Sequence, residues 1–134
     1  PGLILLSLIR IEHRVIPIIE KIHQQLDVII SIDTSKAIVM TEAAGAGAGM
    51  INDVMALRAE DALIAAQKTG LPICLMHMQG EPRVMQSNPK YHDVVAQVKA
   101  FLTQRVEACL AAGIKKQQIL IDPGFGFGKT LTHN

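Results

Sequence analysis

Four short apolar runs, each stopped by a polar residue and each separated from the next by a helical stripe, constrain this chain more than anything else in it. Val28 to Ile32 (VIISI) ends at Asp33, Met50-Ile51 ends at Asn52-Asp53, Pro72 to Met76 (PICLM) ends at His77, and Ile119 to Ile121 ends at Asp122. The runs lack alternation, as expected of parallel strands covered on both faces. Between them lie helical patterns. Arg10 to Leu26 places Ile11, Val15, Ile18, Ile19, Ile22 and Leu26 at three- and four-residue spacings, interrupted by Pro17. Ser35 is placed to cap a second helix running through Ile38, Val39 and Met40 into the small-residue stretch Ala43 to Gly49. A third helix is expected from about Ala59 to Gly70, and a fourth carries Val94, Val95, Val98, Phe101, Leu102, Val106 and Leu110 before Gly113 stops it. Strand and helix in regular succession predict an α/β fold with a parallel sheet.

A closed eight-stranded (β/α)8 barrel of the TIM type takes about 250 residues, so four strands in a chain of 134 residues amount to about half of one. The chain is therefore read as a single partial barrel domain over residues 1–134, internal to a longer protein. Successive strands ending in Asp33, Asn52, His77 and Asp122 put polar groups at the carboxyl edge of one sheet, where such folds bind ligands. Helix capping is the bland reading of any one of them, and four together favour a site.

The net charge of +1, from 13 basic and 12 acidic side chains spread along the chain, offers no electrostatic footprint for nucleic acid or an anionic membrane. No apolar run reaches the roughly 18 residues of a membrane helix. Cys74 and Cys109 lack CxxC spacing and lie in apolar surroundings, which suits buried thiols in the reducing cytoplasm.

The densest motif is Ile121 to Lys129, IDPGFGFGK. The residue five before Gly128 is Pro123, which breaks Walker A spacing, and Gly124, Gly126 and Gly128 give GxGxG rather than the dinucleotide GxGxxG. The glycines permit a backbone that presses on a flat ligand, with Phe125 or Phe127 beside it. A carboxylate at Asp122 offers two parallel acceptors, matching the paired N–H edge of a 2-amino-pyrimidinone. Asp33 and Asn52 could satisfy the other nitrogens of such a ring, with Met76 and Val54 over its face.

These residues resemble dihydropteroate synthases. The resemblance runs through Val15-Ile16-Pro17, Ser31 to Lys36 (SIDTSK), Ile51-Asn52-Asp53, Cys74 to Gly80 (CLMHMQG) and Asp122 to Lys129 (DPGFGFGK), in order and at the expected spacings. It implies a (β/α)8 barrel that condenses 6-hydroxymethyl-7,8-dihydropterin diphosphate with 4-aminobenzoate in folate biosynthesis. Pyrophosphate is released, and Mg2+ acts on the leaving group through a ligand outside this chain. It further implies that Asp33, Asn52, Val54, Met76, Asp122 and Gly126 bind the pterin and that Phe127 lies on the aminobenzoate side. A homodimer and competition by sulfonamides are also implied. No protein nucleophile is called for, because loss of diphosphate leaves a cation that the pterin ring and nearby carboxylates stabilise.

Between Pro1-Gly2 and Val15 the chain reads LILLSLIRIEHR where family members carry a polar, acid-rich segment of similar length. Residues 1–13 are therefore set apart as atypical, frame-shifted or disordered. His77, between two methionines, reads as a satisfied core or loop histidine rather than a metal ligand. Lys36 and Lys129 could meet phosphate, though solvated lysines after strands are commoner. Three alternatives stand beside the synthase: a corrinoid-linked methyltetrahydrofolate methyltransferase on a similar barrel, an inactive fragment, and, more distantly, a Schiff-base aldolase, which would want a strand-end lysine.

Overall fold

A computed structural model describes residues 2–80 and 90–134, with side chains from Arg14 onward. The elements are α1 (Gly2–Gln25), β1 (Ser31–Asp33), α2 (Ala37–Ala46), β2 (Met50–Asp53), α3 (Ala62–Thr69), β3 (Ile73–Met76), α4 (Val94–Ala111) and β4 (Ile119–Asp122). α1 runs through Pro17 without a break and starts earlier than its apolar stripe predicts. Ile18 and Leu26 of that stripe are exposed, while Ile19 is buried. The reading of residues 1–13 as frame-shifted or disordered concerns side chains that lie outside the described residues, as does most of the polar loop expected over Gln79 to Lys90.

All four strands are parallel and lie in the order β1-β2-β3-β4. Sequential parallel strands joined by right-handed crossovers carry their helices on one face, which is the winding of a barrel arc rather than of a doubly wound sheet. β1 is shorter than its apolar run: Val28 and Ile29 are exposed, and the ladder is engaged only at Ile30, whose carbonyl accepts from Gly49 N at 2.9 Å.

The register pairs Ile32 with Ile51, Ile51 with Ile73 and Leu75 with Ile121, so these side chains share one face. Ile32, Ile51, Ile73 and Leu75 are buried there against Val39, Met40 and Ala43 of α2, Ala62, Ala65 and Ala66 of α3, and Leu102 of α4. Each large aliphatic side chain removed from water in this way contributes about 1.5 to 3 kcal/mol. The alanine faces let α2 and α3 sit close to the strands. Gly47 ends α2 and Gly70 ends α3, both in the left-handed region.

The opposite face differs from the expectation of strands covered on both sides. Ser31, Asp33, Asn52, Cys74, Met76, Leu120 and Asp122 alternate onto it, no helix among the described residues covers it, and only Met76 among them is buried. In a barrel this face lines the lumen.

Candidate functional site

Ladder register brings Asp33 beside Asn52, Asn52 beside Cys74, and Met76 beside Asp122. Neighbouring strands are about 4.8 Å apart, so the polar groups span roughly 14 Å along the carboxyl edge. Asp33 is exposed, and Asn52 and Asp122 are half-buried. One oxygen of Asp122 accepts from Gly124 N at 2.7 Å, which fixes the carboxylate while leaving it at the rim. Val54 is half-buried in the turn that opens directly after β2. Burial first, and the Asp122 carboxylate next, push the thiol of half-buried Cys74 up from its ordinary range.

His77 does not join this row. The odd position turns its side chain to the helical face, where it is buried with its ring edge-on to Phe101 at 5.1 Å between centroids. The polar partner at the end of β3 is the thioether of Met76 instead.

Asn52 and Asp53 separate for the same reason. Asp53 is 0% exposed, and its carboxylate accepts from the Ser35 hydroxyl, from Met55 N at 2.8 Å and from Leu57 N at 2.8 Å. Ser35 is therefore not the cap of α2: Lys36 holds that position without a side-chain bond, and the serine hydroxyl crosses to the next loop. The loop it grips carries Ala56 and Leu57 at φ +51° and +58°, a conformation costing on the order of 1 to 2 kcal/mol per non-glycine residue. Arg105 of α4 holds the same two residues from outside, donating to Ala56 O at 2.8 Å and Leu57 O at 3.2 Å.

The glycine loop after β4 is closed by Lys129. The side chain is 5% exposed, and its ammonium meets Gly124 O at 2.8 Å, Phe127 O at 3.1 Å, His77 Nδ1 at 3.0 Å and, at 3.4 Å, His77 O. Three donors facing four acceptors leave none for a phosphate, and burial also removes Lys129 from the commoner class of solvated lysines after strands. Two of the glycines also serve the protein rather than a ligand. A Cβ on Gly124 would lie 2.0 Å from His77 O, and one on Gly128 would lie 2.5 Å from Gln79 O. Both residues have positive φ, which lets this loop press onto the loop after β3. Tyr91 adds a hydroxyl donated to Gly128 O at 2.8 Å. Gly126 is the exception: a Cβ there meets nothing within 4 Å, its amide bonds Asn134 Oδ1 at 2.6 Å, and it stands exposed between exposed Phe125 and half-buried Phe127.

A hollow of about 730 Å3 lies elsewhere, lined largely by Val94, Val98, Leu102, Val106, Ile121 and Phe125. It flanks β4 on the helical face, the position a following helix takes in a singly wound sheet, and it contains none of the polar row. Among the described residues no group of three or more His, Cys, Asp or Glu side chains converges to hold a metal ion, so the Mg2+ implied by the family resemblance finds no ligand set in them. No helix among the described residues is long and apolar enough to cross a membrane.

A singly wound parallel sheet, helices on one face and a polar row with a glycine-aromatic loop at its carboxyl edge, defines an arc of a ligand-binding (β/α)8 barrel. The sequence agrees with that class and narrows it: a model of the pterin binding enzymes matches residues 4–134, and the chain belongs to that family. It is 53% identical over 122 residues to the dihydropteroate synthase of Haemophilus influenzae, covering 91% of this chain and 44% of the relative. A crystal structure of the Yersinia pestis dihydropteroate synthase with a sulfonamide drug complex superposes with a TM-score of 0.89 at 54% identity, over 91% of this chain and 44% of that one. The Xanthomonas albilineans dihydropteroate synthase with 4-aminobenzoic acid gives 0.82 at 50% identity, over 89% of this chain and 41% of that one. The chain thus spans under half the length of the curated relative it matches.

Proposed function

We propose that this chain supplies the pterin-binding arc of a dihydropteroate synthase, joining 6-hydroxymethyl-7,8-dihydropterin diphosphate to 4-aminobenzoate in folate biosynthesis. The observation that carries the reading is the shared lumen face of Asp33, Asn52, Met76 and Asp122, beside the exposed Gly126-Phe127 segment. The relatives at more than half identity support the same reaction.

In this reading Asp122, held by the Gly124 amide, presents its carboxylate to the two adjacent N–H donors of the pterin, while Asp33 and Asn52 take its remaining polar edge. Met76 and Val54 cover the ring, and Phe127 faces the aminobenzoate. The C–O bond to the diphosphate breaks, the resulting methylene cation is stabilised by the electron-rich ring and the carboxylate row, and the aniline nitrogen forms the new C–N bond with release of one proton. The relative that holds 4-aminobenzoic acid supports that acceptor. A cytosolic location suits the two free thiols, and the homodimer implied by the resemblance belongs to the same proposal.

Titration calorimetry of a pterin into a full-length protein carrying this chain tests the assignment. Asp122→Asn loses a charge-assisted pair and is expected to weaken binding by roughly 2 to 4 kcal/mol. Unchanged affinity refutes the role of Asp122.

A further inference from the structure

Lys129 is a buried cation with no carboxylate among its four partners, and the synthase chemistry above gives it no task. Two of its acceptors, Gly124 O and Phe127 O, bracket Phe125-Gly126, so the ammonium closes the stretch that carries the exposed part of the glycine loop. The other two, the carbonyl and ring Nδ1 of His77, belong to the loop after β3. One side chain therefore fixes the distance between the loop bearing Phe127 and the strand end bearing Met76. The backbone bond from Phe127 N to Gly124 O at 3.1 Å makes the same turn but does not reach across to β3.

We propose that Lys129 is a positioning residue for the aromatic-amine side of the site, setting the placement of Phe127 through its carbonyl. The inference rests on the synthase reading of the site. A primary ammonium suits the task because its three tetrahedral donors can meet carbonyls arriving from different directions, whereas the planar fork of arginine cannot. Burial pushes Lys129 down from the usual lysine range and the Asp122 carboxylate pulls it back, consistent with a charged clasp beside the pterin anchor.

The test is steady-state kinetics of the full-length protein with Lys129→Met and Lys129→Arg, varying each substrate in turn. The unmodified protein is measured first: absence of turnover with pterin diphosphate and 4-aminobenzoate overturns the synthase reading itself. Given turnover, both variants are expected to raise KM for 4-aminobenzoate by about tenfold, and KM for the pterin diphosphate by less than about threefold, the signature of a displaced contact on one substrate only. Equal changes in the two KM values, or a change confined to the amount of active protein, overturn the positioning role. If the methionine variant does not fold, the arginine variant carries the same comparison.

Discussion

Asp53 and Lys129 are buried charges of opposite sign, each tying a pair of neighbouring loops, and neither uses a salt bridge among the described residues to do it. The anionic clasp collects donors from the loops after β1 and β2, namely the Ser35 hydroxyl and the amides of Met55 and Leu57. The cationic clasp collects acceptors from the loops after β3 and β4. Orphaned buried N–H groups are rarer and costlier than under-satisfied carbonyls, which keep a second lone pair for other partners. The two clasps should therefore fail unequally. The left-handed residues Ala56 and Leu57 sharpen the difference, because the anionic clasp also holds strain in place, whereas the left-handed positions of the cationic loop are glycines.

The largest effect follows from emptying the anionic clasp. Asp53→Ala leaves the buried Leu57 amide, the part-buried Met55 amide and a hydroxyl without their acceptor and is expected to cost about 4 kcal/mol in a denaturant melt. Lys129→Met should cost about half as much; equal losses would break the asymmetry. Within the cationic loop, Gly124→Ala drives a Cβ into His77 O and should cost about 3 kcal/mol, whereas Gly126→Ala, with open space around it, should cost about 1 to 2 kcal/mol from its φ alone. Reversal of that order would mean that the glycine loop does not rest on the β3 loop. The last effect is a pH dependence. Burial first, and the Lys129 ammonium next, hold the His77 imidazole down to about 4 from the usual 6.5. The unfolded chain then binds the extra proton in the window between these values, so stability falls as pH drops from 6.5 towards 4, by about 2 kcal/mol. Lys129→Met should move the His77 titration, followed by NMR, part of the way back up; no movement would uncouple His77 from the clasp.

Strand existence and the carboxyl-edge row were legible because parallel strands end abruptly in polar residues, and Asn52 and Asp122 stand at such ends. What could not be read was the face each residue takes. Asn52 and Asp53 look equivalent in the sequence, yet one step of alternation sends the first to the lumen and the second under the helices, and the same step removes His77 from the row. Ser35 resembled a helix cap because nothing local reveals a carboxylate 18 residues away. The glycines of the DPGFGFGK motif suggested room for a ligand, whereas Gly124 and Gly128 make room for His77 and Gln79. Parity counted from the strand ends was the signal that could have found Asp53, whereas the carbonyl partners of Lys129 left no local signal, because the motif also offers Asp122 as a carboxylate.

The spacing of the clasps along the chain also orders events in time. Ser35 and Asp53 are 18 residues apart, whereas His77 and Lys129 are 52 apart. Closing the longer loop costs roughly 1 kcal/mol more in chain entropy. Asp53 and its donors are also synthesised well before Lys129. The rim holding Asp33 and Asn52 is thus expected to set while the glycine loop is still on the ribosome, giving the second half a finished edge to fold against; pulsed exchange showing the Leu57 amide protected later than the Phe127 amide would reverse that sequence.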